Sequence, residues 1–346
     1  MRETSITDIQ KVSYFKLNEL DDRAIPLQSC YLGNSEWESW IPTEKGLLQL
    51  KVVNVVDACY YSKFPAKKTD VYIGFISLIM KRAYFKELVH FERGILEDIN
   101  NLSVSVSKIN LFHQIWREDK ELVTRRFITT ELEYIFKVCR SLFDLLQEVI
   151  AKIWARFRYI DIDASLSVKK LQPTFSKMVY KSNKLSSAQE IESRYLIPPA
   201  LAQFYERNGV FFNWLRSYRD KISHGGNNIE SLYIMDDGFA VSTEIEPFKG
   251  LHIWEKTELK TNKLGSVRAL VAYTILNTLH VLEDFTSVIQ TIMQLPPDIA
   301  PEYDVYIRGE NLGILHELHK YLDGDEWIKY NKTLERNKEY CEKKIN

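Results

Sequence analysis

Between Asp119 and Phe157 no proline or glycine interrupts the chain, and its apolar side chains keep helical time. Phe127, Ile128, Leu132, Ile135, Phe136, Leu142, Leu146, Val149, Ile150 and Ile153 recur at steps that put them on one face of a long amphipathic helix. The same rhythm begins near 71, where Ile76, Ile79, Met80, Ala83, Leu88, Phe91, Ile95, Leu96 and Ile99 predict a helix. The serines of SVSVS at 103–107 should weaken it, because short hydroxyl side chains compete for backbone hydrogen bonds. Pro198 and Pro199 open a further helix that runs through Phe204, Phe211, Trp214, Leu215 and Tyr218 to a stop at Gly225-Gly226. A last one spans Ser266 to about Met293, apolar at Leu270, Val271, Ile275, Leu279, Leu282, Phe285 and Ile289.

With 13 glycines and 10 prolines in 346 residues, long regular elements are favoured over loop-rich or glycine-rich folds. The expected fold class is mainly α: a helical bundle of helices near 71–115, 119–157, 198–224 and 266–293. One β-hairpin is expected within 231–256, where Leu232–Met235 and Phe239–Ser242 flank Asp236-Asp237-Gly238; LHIWEK at 251–256 should add a strand. The bundle occupies 66–295. Residues 1–65 read as an accessory N-terminal segment, in which Leu47–Val56 suits a strand or a buried helix. AKKTD at 66–70 reads as a connection with Thr69 or Asp70 as helix cap, 158–195 as a polar connector, and 296–346 as a C-terminal helical tail with a helical piece near 312–322.

A net charge of −1, from 46 basic and 47 acidic residues, creates no global field toward nucleic acid or anionic membrane. Any nucleic-acid surface must therefore be a local patch. Cys30, Cys59, Cys139 and Cys341 are far apart and form no C-x-x-C pair, which suits reduced thiols rather than a disulfide frame or zinc site. Met1–Gln10 is polar, unlike a signal peptide. The apolar run Val71–Met80 is about half the ~20 residues of a membrane helix. A cytoplasmic protein without a membrane partner is expected. There is no Walker loop, G-x-G-x-x-G, G-x-S-x-G or H-E-x-x-H, and no cofactor is expected.

The sharpest functional signal is WLRSYRDKISHGG at 214–226. Arg219 and His224 have R-x4-H spacing, a polar Asp220 follows the Arg, and the His closes a helix before glycine. The motif resembles the signature of the HEPN superfamily. That resemblance implies a dimerising helical bundle, HEPN-like over roughly 71–290, and in many members a metal-independent endoribonuclease. Such enzymes occur among toxins, abortive-infection proteins and CRISPR-associated nucleases, so an antitoxin or regulatory protein is an implied partner beside RNA and a second copy of the chain. The chemistry is coherent on its own. Metal-free RNA cleavage needs a base for the 2′-hydroxyl, an acid for the leaving 5′-oxygen and a cation for the phosphorane. Histidine can take either proton role, arginine grips phosphate, and Asp220, four residues before His224, can orient the ring. One motif holds one His, so two copies across a dimer axis would complete the acid–base pair. The alternatives are a helix end with no catalytic role, and a non-catalytic helical module that binds RNA or a protein partner.

Secondary candidates are fewer. Lys169, Lys170, Lys177, Lys181 and Lys184, with Phe175 and Tyr180 interleaved and no acidic residue between Ser165 and Ser187, can bind RNA phosphates and stack a base, or form a solvated surface. Arg140 and Asp144 are an i,i+4 pair on the long helix that either supports the motif or is a surface ion pair. His316 and His319 lie three apart without a third metal ligand, and His280 reads as a core or interface histidine.

Overall fold

The computed structural model describes residues 6–20, 22–120, 124–156, 170–224, 232–246, 248–249, 251, 253–254, 256 and 258–322, with the side chains of Ile6, of 219–224 and of Leu322 outside that description. The helices are α1 (Ile6–Ile9), α2 (Gly74–Arg82), α3 (Val89–Glu118), α4 (Arg125–Arg156), α5 (Phe175–Val179), α6 (Ala188–Tyr195), α7 (Pro199–His224), α8 (Val267–Ile292) and α9 (Ile314–Leu318). The strands are β1 (Ser29–Gly33), β2 (Glu36–Thr43), β3 (Gly46–Lys51), β4 (Ala58–Ser62), β5 (Val71–Tyr72), β6 (Tyr180–Lys181), β7 (Lys184–Leu185), β8 (Leu232–Met235), β9 (Gly238–Ser242), β10 (Leu264–Ser266) and β11 (Asp304–Arg308).

About 51% of the described residues are helical, yet the fold is α/β. A six-stranded mixed sheet of order β3-β2-β1-β4-β11-β5 stands beside sheets of three and two strands. This corrects the expectation of a mainly α, all-helical bundle with one small hairpin. Five strands of the large sheet come from the segments read as an accessory N-terminus and a helical C-terminal tail, and β5 from the start of the expected bundle, with β11 seated between β4 and β5. Among the described strands only β1 and β4 pair in parallel.

Alternation along the strands separates two faces. Cys30, Cys59, Tyr61, Val71, Val305 and Ile307 are buried in the common core with α2 and α8. The opposite face carries an aromatic ladder of Tyr31, Trp37, Tyr60, Tyr306 and Tyr72, with ring centroids 4.8–6.0 Å apart from one rung to the next. Arg308 lies over the Trp37 and Tyr60 rings and is buried. Its Nε and Nη2 donate to both Asp70 oxygens at 2.9 and 2.6 Å, and its Nη1 to the Val55 carbonyl at 2.9 Å. Tyr60 Oη and the Lys67 backbone N–H also donate to Asp70. Burial opposes the Asp70 charge, but these donors together hold its carboxyl below the usual range. Asp70 is therefore the sheet's anchor for Arg308 rather than a helix cap.

Helices α4, α7 and α8 lie where the periodicity placed them, at 125–156, 199–224 and 267–292. The expected 71–115 helix is two elements, α2 and α3. The break has a long-range cause: the Ala24 N–H takes the Tyr84 carbonyl at 2.8 Å and Arg23 Nη1 reaches the Arg82 carbonyl. The SVSVS serines stay helical because their hydroxyls bond back into the helix, Ser103 to the Asn100 carbonyl and Ser107 to the Ser103 carbonyl. The N-terminus of α2 is capped from α8: Gly74 N–H donates to Glu283 Oε1 at 2.7 Å, and a Cβ at Gly74 would fall 2.5 Å from Glu283 Oε2. In the small sheet, β8 and β9 form the expected hairpin and β10 is the third strand. Residues 251–256 contribute no strand among those described. The supposed connector holds α5, the β6–β7 hairpin and α6, with Phe175, Met178, Val179, Ile191 and Tyr195 buried.

Arg308→Met should leave the Asp70 carboxylate buried without its counter-ion and lower unfolding stability by about 3–5 kcal/mol; urea titration followed by far-UV circular dichroism measures it, and a loss below ~1 kcal/mol would refute the role. Glu92, in the first turn of α3, is buried with Oε1 unpartnered among the described residues, and burial pushes its carboxyl up to about 7. A raised acid stabilises the fold below its unfolded pKa and loses that contribution as pH rises through the folded value. Glu92→Gln should thus gain on the order of 3 kcal/mol over the parent above pH ~7.5, and nothing at pH ~4; unchanged parallel pH–stability curves would contradict this.

Candidate nucleic-acid interface

The site is organised by α7. Leu201, Phe204, Tyr205, Phe211, Phe212, Trp214, Leu215 and Tyr218 are buried along it, an apolar load that explains the length of the helix. Phe136 of α4 meets Trp214 and Tyr218, and Phe143 meets Phe211 and Phe212. On the α8 side, Arg207 grips Asp284 through Nε and Nη2 at 2.7 and 2.5 Å, with Asn208 Nδ2 donating to the same carboxylate. Helix α7 continues to His224, as the motif required, so Arg219, Asp220 and His224 occupy its last turns. Their side chains, and Gly225-Gly226, lie outside the described residues.

One turn before Arg219, Arg216 lines an open groove of about 1080 Å³. Its other walls come from the segment between the long helices. Thr174 caps α5, accepting from the Lys177 N–H. The α5 residues Phe175, Met178 and Val179 turn into the core, leaving Ser176, Lys177 and Tyr180 on the groove side. Ser182 and Asn183 take positive φ at 50° and 63°, closing the two-residue β6–β7 turn. Ser187 and Glu190 form a reciprocal capping box at the start of α6, which presents Gln189, Glu190, Ser193 and Arg194 to the groove.

Among the described residues, the groove lining holds Lys177, Lys181, Arg194 and Arg216 against one carboxylate, Glu190, whose Oε2 is engaged by the Ser187 N–H. Arg194 donates to the Tyr180 carbonyl and to Ser186 Oγ. Arg216 lies 5.1 Å over the Tyr180 ring, whose hydroxyl donates to Asn213 Oδ1 at 2.5 Å. Lys181 and Lys184 oppose each other directly across the β6–β7 ladder, and both are exposed. Like charges so placed destabilise a hairpin. Among the described residues, no carboxylate pairs with Lys177, Lys181 or Lys184. The arrangement is a concentrated positive patch on a chain of almost zero net charge.

Lysines 177 and 181 thus join Arg216 in the groove, Lys184 stands on the adjacent strand, Lys170 is exposed outside the lining, and Lys169 lies outside the described residues. Phe175 is fully buried and cannot stack on a ligand. Arg140 pairs with Asp144 at 2.6 Å and lies 4.2 Å over the Phe212 ring, seven residues before Arg219. Asp144 is a further turn along α4. Arg194, Arg216 and Asn213 had not stood out in the sequence; the i−3 position of Arg216 relative to Arg219 was the available sign.

The remaining candidates have structural partners. His316 Nε2 faces the Asp70 carbonyl, and His113 Nε2 the Met235 carbonyl at 2.8 Å. His280 is partly buried, which lowers its pKa although Asp284 opposes the shift. Cys30, Cys59 and Cys139 are buried, and burial pushes Cys30 and Cys139 to about 12, so these thiols are poor nucleophiles. Among the described residues there is no cluster of three metal-ligating side chains, and no helix long and apolar enough to cross a membrane. Comparison with protein-family models, with curated proteins and with solved structures finds no match to this chain.

Proposed function

We propose that the chain is an endoribonuclease that needs no metal, with Arg219 and His224 as its reacting groups and Asp220 orienting the imidazole. The observation that carries this reading is the placement of the basic groove: Arg216, one of its four cations, belongs to the helix that ends in the motif. Arg216 and Arg219 are about 4.5 Å apart along the helix axis, and Arg216 and His224 about 12 Å. A phosphodiester held at the groove therefore lies within a short chain length of the motif. The six-stranded sheet is foreign to the helical bundle that the HEPN resemblance implied, so the resemblance rests on the motif.

In the proposed reaction one imidazole removes the 2′-hydroxyl proton, and the 2′-oxygen forms a bond to phosphorus. The P–O5′ bond breaks, and an imidazolium gives the 5′-oxygen its proton. The products are a 2′,3′-cyclic phosphate and a 5′-hydroxyl. Arg219 holds the non-bridging oxygens through the phosphorane. The second imidazole comes from a second copy of the chain, which makes activity depend on dimerisation.

The test is cleavage of total and structured RNA in EDTA by wild type, Arg219→Ala and His224→Ala, with circular dichroism on each. Wild type should leave cyclic-phosphate ends, and either variant should lose about 10²-fold or more in rate. Equal absence of cleavage in all three would overturn the nuclease reading in favour of a module that binds without cutting.

A further inference from the structure

We infer that the α5–α6–α7 groove is the track for an unpaired RNA strand, with Arg216 and Tyr180 stacking a base and Lys177, Lys181 and Arg194 taking the phosphates. The inference rests on the proposed nuclease only for the identity of the polymer as RNA.

Three observations carry it. The first is charge. Among the described lining residues four cations face one carboxylate, and that carboxylate is committed to a helix cap. The Lys181–Lys184 opposition lowers hairpin stability, and an anion lying across it would relieve the repulsion. The second is shape. The volume of about 1080 Å³ is at the upper end of the ~300–1,000 Å³ of small-molecule pockets, and the site is open rather than enclosed. An open site of this size has room for part of a polymer as well as for a free nucleotide. The third is the stacking surface. The Arg216 guanidinium lies 5.1 Å over Tyr180, and the Tyr180 hydroxyl is held by Asn213, so a ring and a guanidinium are already placed side by side on the groove wall. Bases are recognised on aromatic rings and guanidinium planes when they are unstacked and splayed, which a duplex does not permit. Gln172, Ser176, Asn183, Gln189 and Ser193 supply neutral donors and acceptors along the same walls.

Binding is read separately from cleavage. Fluorescence anisotropy is measured on full-length His224→Ala protein with a labelled 12-nucleotide single-stranded RNA in EDTA. The same measurement is made with a 12-base-pair RNA duplex, and with AMP as competitor. Lys177→Ala/Lys181→Ala should weaken single-strand binding roughly 25-fold at ~0.1 M salt and flatten the log–log salt slope by about 1.4, at ~0.7 per phosphate contact. Arg216→Lys keeps the charge but loses the planar stack, and should weaken the single strand while leaving the salt slope unchanged. Lys320→Ala, away from the groove, is the control, and thermal melting shows that each variant is folded. Wild-type-like affinity and slope in the double lysine variant would overturn the inference. Equal binding of the duplex, or displacement of the strand by AMP at matching concentration, would overturn the unpaired polymer as ligand. Groove-dependent binding without cleavage by wild type supports the groove and sinks the nuclease reading alone.

Discussion

Everything proposed for this protein depends on α7 being held rigidly on its apolar side. Its buried aromatic face is shared by α4, through Phe136 and Phe143, by α8, through Tyr273 and Phe285, and by α5, through Phe175. Two polar ties fix its height against the neighbours. Arg207 and Asn208 lock onto Asp284 of α8, and Tyr205 Oη donates to Gln147 of α4, whose Nε2 donates in turn to the Gln172 carbonyl at the groove mouth. A helix so clamped cannot slide or roll independently. The groove wall at Arg216 and the helix end at His224 thus belong to one packed helix, which under the proposed function would present a strand held at the groove to the motif in register.

The sheet contributes to that rigidity from a distance. The buried Arg308–Asp70 pair fastens β11 to the turn before β5, joining chain segments 238 residues apart. From β5 the chain passes directly into α2, whose N-terminus is capped by Glu283 of α8. Asp284, the next residue, holds α7. The protein thus has a continuous polar and apolar linkage from sheet to groove, although sheet and groove share no residues.

The helices were legible because their signal is local: α4, α7 and α8 each repeat an apolar face over many turns. The sheet was not, for a physical reason. Its strands β1, β4 and β11 are five residues each and β5 is two, too short for a period to register. Strand β2, with Trp37, Trp40 and Ile41, does not alternate cleanly, since it lies near the sheet edge with neither face fully buried. Its partners are also remote; nothing in DVYIR at 304–308 announces pairing with ACYYS at 58–62. The same non-locality broke the expected 71–115 helix, where carbonyls near 82–84 are taken by Arg23 and Ala24 without any proline or glycine to mark the place. In the candidate site, the lysines and Tyr180 were visible as composition and Arg219–His224 as spacing. That Lys177 and Lys181 face Arg216 across a groove was not visible, because it depends on how α5 and α6 fold back onto α7.

The central claim is that groove and motif act on one RNA. Hydrogen–deuterium exchange of the full-length protein, with and without a 2′-O-methyl single-stranded RNA that cannot be cleaved, tests it most directly. The account predicts added protection in 172–195 together with 213–224, and none on the strands of the large sheet. Protection confined to the sheet, or to the groove segment with α7 unaffected from Arg216 to His224, would contradict it.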